Sequence, residues 1–177
     1  MYNTDAPLYP ETKTDEYFIY TSIKSSGFAG LNVRNGPYGA LSSNEPSDGT
    51  VDYSADKDMD KDTFLSESKW ISDHADEILN LALAAMVDQY WENREYVLEC
   101  LIDENPDDVV PEISGPQDLK NLCGIVAIHI KDPDKSENHR FGIEFGCNWE
   151  EEHGAGVRFE NLKVIKNGHA SDAFSFR

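Results

Sequence analysis

The segment Phe141-Gly-Ile-Glu-Phe-Gly-Cys147-Asn-Trp149-Glu-Glu-Glu152-His153-Gly154-Ala-Gly156-Val-Arg-Phe159 constrains this chain more than any other. Phe141, Ile143, Phe145 and Cys147 recur at every second position, the period of a strand with one apolar face. A charged turn follows, and then a second strand. Within eight positions the turn holds an aromatic ring, three carboxylates, an imidazole and two glycines.

Two readings of the turn stay open at this level. In the chemical one, Glu152 and His153 with Glu150 bind a divalent metal or act as an acid–base pair. In the structural one, an acid accepts backbone N–H bonds, His153 donates to a neighbouring carbonyl, and Gly154 and Gly156 supply positive φ. Adjacent Glu152 and His153 point to opposite faces of an extended chain, and no His-Glu-x-x-His pattern is present. The structural reading is therefore the expectation.

The rest of the chain is organised around this sheet. Residues 1–15 read as a loose N-terminal segment, and residues 16–177 as a single α+β domain. Tyr17 to Ile23 is rich in β-branched and aromatic side chains and reads as a strand covered on both faces. Leu31 and Val33 suit a second strand before the turn at Asn35-Gly36-Pro37. Residues 42–62 are polar and acidic, which predicts an excursion outside the core. Ser66 to Asp103 is helical: Ile71, Ala75, Ile78, Leu79, Ala82, Met86 and Tyr90 form one apolar stripe, with a start at Ser72 and a second helical stretch at Tyr96 to Leu101. A short helix at Pro116 and strands at 125–131, 140–148, 156–160 and 162–167 complete an expected antiparallel sheet of about five or six strands, with two long helices on one face.

Charge narrows the function classes. The net charge is −19, and residues 45–112 alone carry 20 acids against 4 bases. Such a field repels nucleic acid and anionic lipid and favours a basic protein partner. No apolar run approaches the roughly 20 residues needed to span a bilayer, and no signal-peptide pattern opens the chain. The odd, scattered cysteines Cys100, Cys123 and Cys147 fit reduced thiols in a cytoplasmic protein.

A second cluster has the letters of a calcium loop. Asp56, Asp58, Asp60, Asp62 and Glu67 stand at positions 1, 3, 5, 7 and 12 of a twelve-residue stretch, which is the spacing of oxygen ligands in such loops. Lys61 occupies the sixth position, where the sharp turn wants glycine. An acidic linker explains the same residues, and calcium is the weaker expectation. His74, His129, His139 and His169 are scattered along the chain and read as surface or core filling. No Ser-His-Asp order or phosphate loop is evident.

Trp149, Glu152, His153, Gly154 and Gly156-Val157, together with Gly168 and Ala173-Phe174, resemble an uncharacterised bacterial domain family. Its members end in a strand, a Trp-Asp-x-Glu-His-Gly signature and a closing hairpin. Glu150 stands where that family usually has Asp. The similarity covers about 115–176 by motif and 66–103 by architecture, and leaves 40–62 without a counterpart. Domains of this kind look similar to immunity and accessory proteins encoded near bacterial toxins. The resemblance, together with the acidic middle third, implies a non-enzymatic domain that binds a basic partner, anchored by aromatics such as Tyr90 or Trp91. The alternative of another class is a metal-dependent enzyme built on the Trp149–Gly156 turn.

Overall fold

The computed structural model describes residues 10–36, 39, 41–133 and 136–176, with the side chains of 41–44 excepted. Among these residues the strands are β1 (Lys13–Thr14), β2 (Phe18–Lys24), β3 (Asn32–Asn35), β4 (Leu41–Pro46), β5 (Thr50–Asp56), β6 (Cys123–Lys131), β7 (Arg140–Cys147), β8 (Ala155–Glu160) and β9 (Lys163–Gly168). The helices α1 (Lys61–Asp73), α2 (Ala75–Cys100) and the short α3 (Pro106–Val109) all lie between β5 and β6. The main sheet runs β1-β2-β5-β6-β7-β8-β9, and β3 and β4 form a separate hairpin. Every neighbouring pair in the main sheet is antiparallel except β5–β6. That exception follows from the helices, because a crossover connection returns the chain parallel to the strand it left.

The sheet thus has seven strands rather than five or six, and the difference comes mainly from residues 42–62. Instead of an excursion, Leu41–Pro46 closes a hairpin and Thr50–Asp56 is an interior strand. Val51, Tyr53 and Ala55 are buried while Asp52 and Asp56 are exposed, the alternation of a strand with one face on the core. Residues 1–9 of the expected loose end fall outside the described residues, and Lys13–Thr14 pairs with Ile19–Tyr20 at the sheet edge.

The helices divide at His74 rather than near Tyr96. Asp60 caps α1 by accepting from the Thr63 N–H at 2.9 Å, and the Thr63 N–H and hydroxyl hold its carboxyl below the usual carboxylate range. The expected apolar stripe from Ile71 to Tyr90 is buried throughout. It meets the sheet face formed by Tyr53, Ile128, Ile143 and Val157, which lie in register across β5, β6, β7 and β8. Phe141 and Phe159 stack at 4.9 Å on the same face, and Trp70 of α1 meets Phe141 edge-on.

The opposite face is covered at both ends. The β3–β4 hairpin packs near Gly124 and Gly146, and the turn Ala170–Ala173 packs near Gly142, where a Cβ would strike the Ala173 carbonyl. No helix among the described residues is long and apolar enough to cross a membrane.

Candidate functional site

Trp149 roots the charged turn in the core. It is 1% exposed, meets Tyr90 edge-on at 5.3 Å and donates its indole N–H to Gln89 Oε1 at 3.4 Å. The preceding Asn148 is clamped from three sides. Its backbone N–H donates to Leu122 O at 2.9 Å, its amide donates to Val109 O at 3.0 Å, and its side-chain oxygen accepts from Arg34 at 2.6 Å. Arg34 also donates to Leu122 O, tying the β3–β4 hairpin to the same point. Burial pulls this guanidinium below its ordinary value; the carbonyl-type oxygens gather at Nη2, and the buried Nε–H has no partner among the described residues.

Beyond Trp149 the chain closes a compact loop. Gly154 N–H donates to Glu150 O at 2.9 Å, and Gly154 has φ +61°, a conformation that suits glycine. Closure places Glu150 and His153 on one side. Glu150 Oε1 accepts from both the His153 backbone N–H and Nδ1 at 3.2 Å. The acid of the structural reading is therefore Glu150, and His153 donates to it rather than to a carbonyl. Gly156 lacks positive φ. Its role is close approach, since a Cβ there would strike the His169 carbonyl.

That approach brings in a residue the sequence reading left aside. Gly156 pairs with Gly168 across β8 and β9, and Ala170 N–H donates to His153 O at 2.9 Å. His169 then stacks on His153 at 4.9 Å between ring centres. Glu150, His153 and His169 present ligating atoms all within 4.8 Å of one another, and among the described residues they are the one His/Cys/Asp/Glu group so disposed. Glu152 is exposed and outside this cluster.

The acids of the supposed calcium loop do not converge. Residues from Lys61 onward are helical, so positions 6 to 12 cannot wrap around an ion. Asp60 is spent on the helix cap, Asp56 accepts from the Asp58 N–H at 2.9 Å, and Asp62 lies in the first turn of α1. Glu67 turns inward and bonds His139 Nδ1 at 2.7 Å, while Trp70 stacks on His139 at 3.8 Å. Tyr90 likewise belongs to the core, donating its hydroxyl to Pro111 O. Trp91 is 40% exposed with Arg94 over its ring.

Two concavities flank these elements. One, of about 560 Å³, opens where β5 and β6 are joined by only two residue pairs and β6 bulges between Ile125 and Ala127. On its wall Ser54 Oγ lies 3.0 Å from His129 Nδ1, and His129 Nε2 lies 2.8 Å from Glu144. A carboxylate accepts from Nε2–H, and in the tautomer that this bond favours Nδ1 is the acceptor for the Ser54 hydroxyl. An acid–imidazole–hydroxyl chain of this order is how enzymes activate serine. Here Ser54 is 8% exposed on a strand flanked by β2 and β6, so the chain reads as a polar cross-link of three strands.

The other concavity, about 470 Å³, lies between the end of α2 and the Trp149 turn. Tyr96, Val97, Leu101 and Val109 supply apolar lining, and Glu104, Glu150, Glu151 and Glu152 supply carboxylates, with no lysine or arginine lining it among the described residues. Among the described residues no salt bridge reaches Glu104, Glu151 or Glu152.

The chain belongs to the family of domains of unknown function DUF6985, whose model matches residues 20–174. The match includes the stretch 40–62 that the motif resemblance left without a counterpart. No characterised protein and no solved structure matches the chain.

Proposed function

We propose that this DUF6985 domain is a non-enzymatic binding module that receives a basic polypeptide segment in the groove between α2 and the Trp149 turn. The observation that carries the reading is the make-up of that groove: four carboxylates beside apolar side chains, with no lysine or arginine among the described residues that line it. Lysine and arginine match both components, since their stems lie on apolar surface while their charged heads stay hydrated. Tyr96, 68% exposed, offers a ring for apolar and cation–π contact.

The surroundings act in the same direction. Along the exposed end of α2 and the following loop, Glu92, Glu95, Glu99, Asp103, Glu104, Asp107 and Asp108 face solvent. Arg94, the single base in that stretch, spends its Nε–H on Val110 O. A one-signed field of this kind speeds encounter with a basic partner and is weakened once charges are more than about 8 Å apart at physiological ionic strength. A bacterial immunity-type inhibitor of a basic toxin is the finer form of this reading, and its support is the resemblance of the Trp149 signature alone.

Calorimetric titration with a lysine- and arginine-rich peptide tests the binding itself. Binding should weaken steeply with added salt, and Tyr96→Ala or the joint change Glu104→Gln with Glu151→Gln should weaken it by about tenfold or more, as truncation of an interface anchor does. Equal binding by wild type and these variants would overturn the reading.

A further inference from the structure

We propose that Glu150, His153 and His169 form a binding site for a divalent transition metal ion of the zinc class. The atoms are already close. Glu150 Oε1 stands 3.2 Å from His153 Nδ1, and Oε2 stands 4.0 Å from His169 Nε2. With zinc bonds of about 2.0–2.1 Å, tetrahedral ligand atoms sit roughly 3.3 Å apart, so closing the site takes about 1.5 Å of approach by the ligand atoms. It also takes a rotation of the two rings out of their stack, since imidazole lone pairs lie in the ring plane. Both imidazoles are 55% exposed, and such rings turn without disturbing the core.

The backbone is organised around this proximity. Gly156 leaves room for the carbonyl of His169, and Ala170 N–H binds His153 O at 2.9 Å. The two histidine-bearing segments are thereby stapled side by side. Glu150 is the least exposed of the three, at 18% of its side chain, and the His153 backbone N–H orients its carboxylate. Outer hydrogen bonds of this sort fix a metal ligand's direction. A local turn needs Glu150 and Gly154. It does not need a second imidazole stacked on the first from sixteen residues downstream.

The donor set selects the metal. Two imidazoles and one carboxylate suit zinc and its neighbours, whereas calcium and magnesium take oxygen ligands almost exclusively. Three protein ligands leave a fourth position for water or for a side chain lying in the adjacent groove. The site does not rest on the groove reading, whose test changes Tyr96, Glu104 and Glu151, none of them a ligand.

The experiment is calorimetric titration of the chelator-stripped full chain with zinc and, in parallel, with magnesium. One zinc per chain is expected, with no magnesium uptake. His153→Ala and His169→Ala should each weaken zinc binding by at least about 100-fold, since even outer-shell changes cost 10–100-fold. Glu77→Gln, exposed in the first turn of α2 and outside both the groove and the cluster, should leave it unchanged. Circular dichroism of the variants verifies that they fold. Cobalt-loaded wild type provides a second readout that needs no variant: d–d bands of a nitrogen and oxygen site are expected. A thiolate charge-transfer band would move the metal to Cys100, the exposed cysteine, and overturn the proposal. So would undiminished zinc affinity in His169→Ala, or no uptake at submillimolar zinc.

Discussion

Glutamate meets histidine in two kinds of place in this chain. On the sheet and α1, Glu144 bonds His129 and Glu67 bonds His139, with carboxylate side chains 12% and 10% exposed and each imidazole less than a third exposed. At the Trp149 turn, Glu150 meets an imidazole that is 55% exposed, and Glu151 and Glu152 beside it face solvent. The first pairs are closed: each carboxylate meets its imidazole inside the fold, and each ring is packed by a neighbour, Phe174 against His129 and Trp70 against His139. The turn is open, with its apolar root buried and its charges left outward. The same residue types serve cohesion where neighbours enclose them and, under the proposed function, recognition where a rigid root displays them.

This contrast makes its largest prediction at the root. Trp149→Ala should destabilise the domain by about 3–5 kcal/mol, the usual cost of emptying a buried aromatic site, read by denaturant unfolding. A loss below about 1 kcal/mol would show that the turn is not anchored through its indole. Next come the closed pairs. Glu144→Ala and Glu67→Ala should each cost about 1–3 kcal/mol, because each leaves a largely buried imidazole donor without its acceptor. Stability equal to wild type in both would erase the distinction between closed and open sites.

Smaller effects are expected within the turn. Gly154→Ala should cost about 1–2 kcal/mol for a side chain held at positive φ, measured as a shift in thermal midpoint. Glu152→Gln should change stability by less than about 0.5 kcal/mol, as for an exposed side chain away from any special feature. A larger loss at Glu152 than at Glu144 would invert the comparison.

Legibility in the sequence followed the density of the apolar signal. β7 was readable because Phe141, Ile143, Phe145 and Cys147 repeat with period two among small residues, and the helical stripe from Ile71 to Tyr90 was equally plain. β5 was not, because Val51, Tyr53 and Ala55 alternate with Asp52, Ser54 and Asp56 inside a strongly acidic stretch. Composition there masked a pattern that tertiary burial obeys. The calcium spacing failed for the opposite reason: the letters fit, but Asp60 starts a helix that carries Glu67 away toward His139.

At the site, the Trp149 turn was legible as a cluster but not in its internal roles. Reading the chain as extended set Glu152 against His153 on opposite faces. The bond from Gly154 to Glu150 instead curls the loop, so the partner of His153 is three residues back rather than one. His169 was out of reach of local reasoning, since only the pairing of Gly156 with Gly168 brings it to the turn. Ser54, His129 and Glu144 were hidden likewise, being neighbours only across three strands.

The most direct test of the central claim, that the open, acidic side of the turn is the binding surface, is to map where a basic peptide contacts the isotopically labelled chain by amide chemical-shift perturbation. The account predicts that shifts concentrate at residues 93–104 and 148–153, fade as salt is raised, and spare Ser54, His129 and Glu144. Shifts concentrated around Ser54 and His129, with the α2 end and the Trp149 turn unmoved, would contradict it.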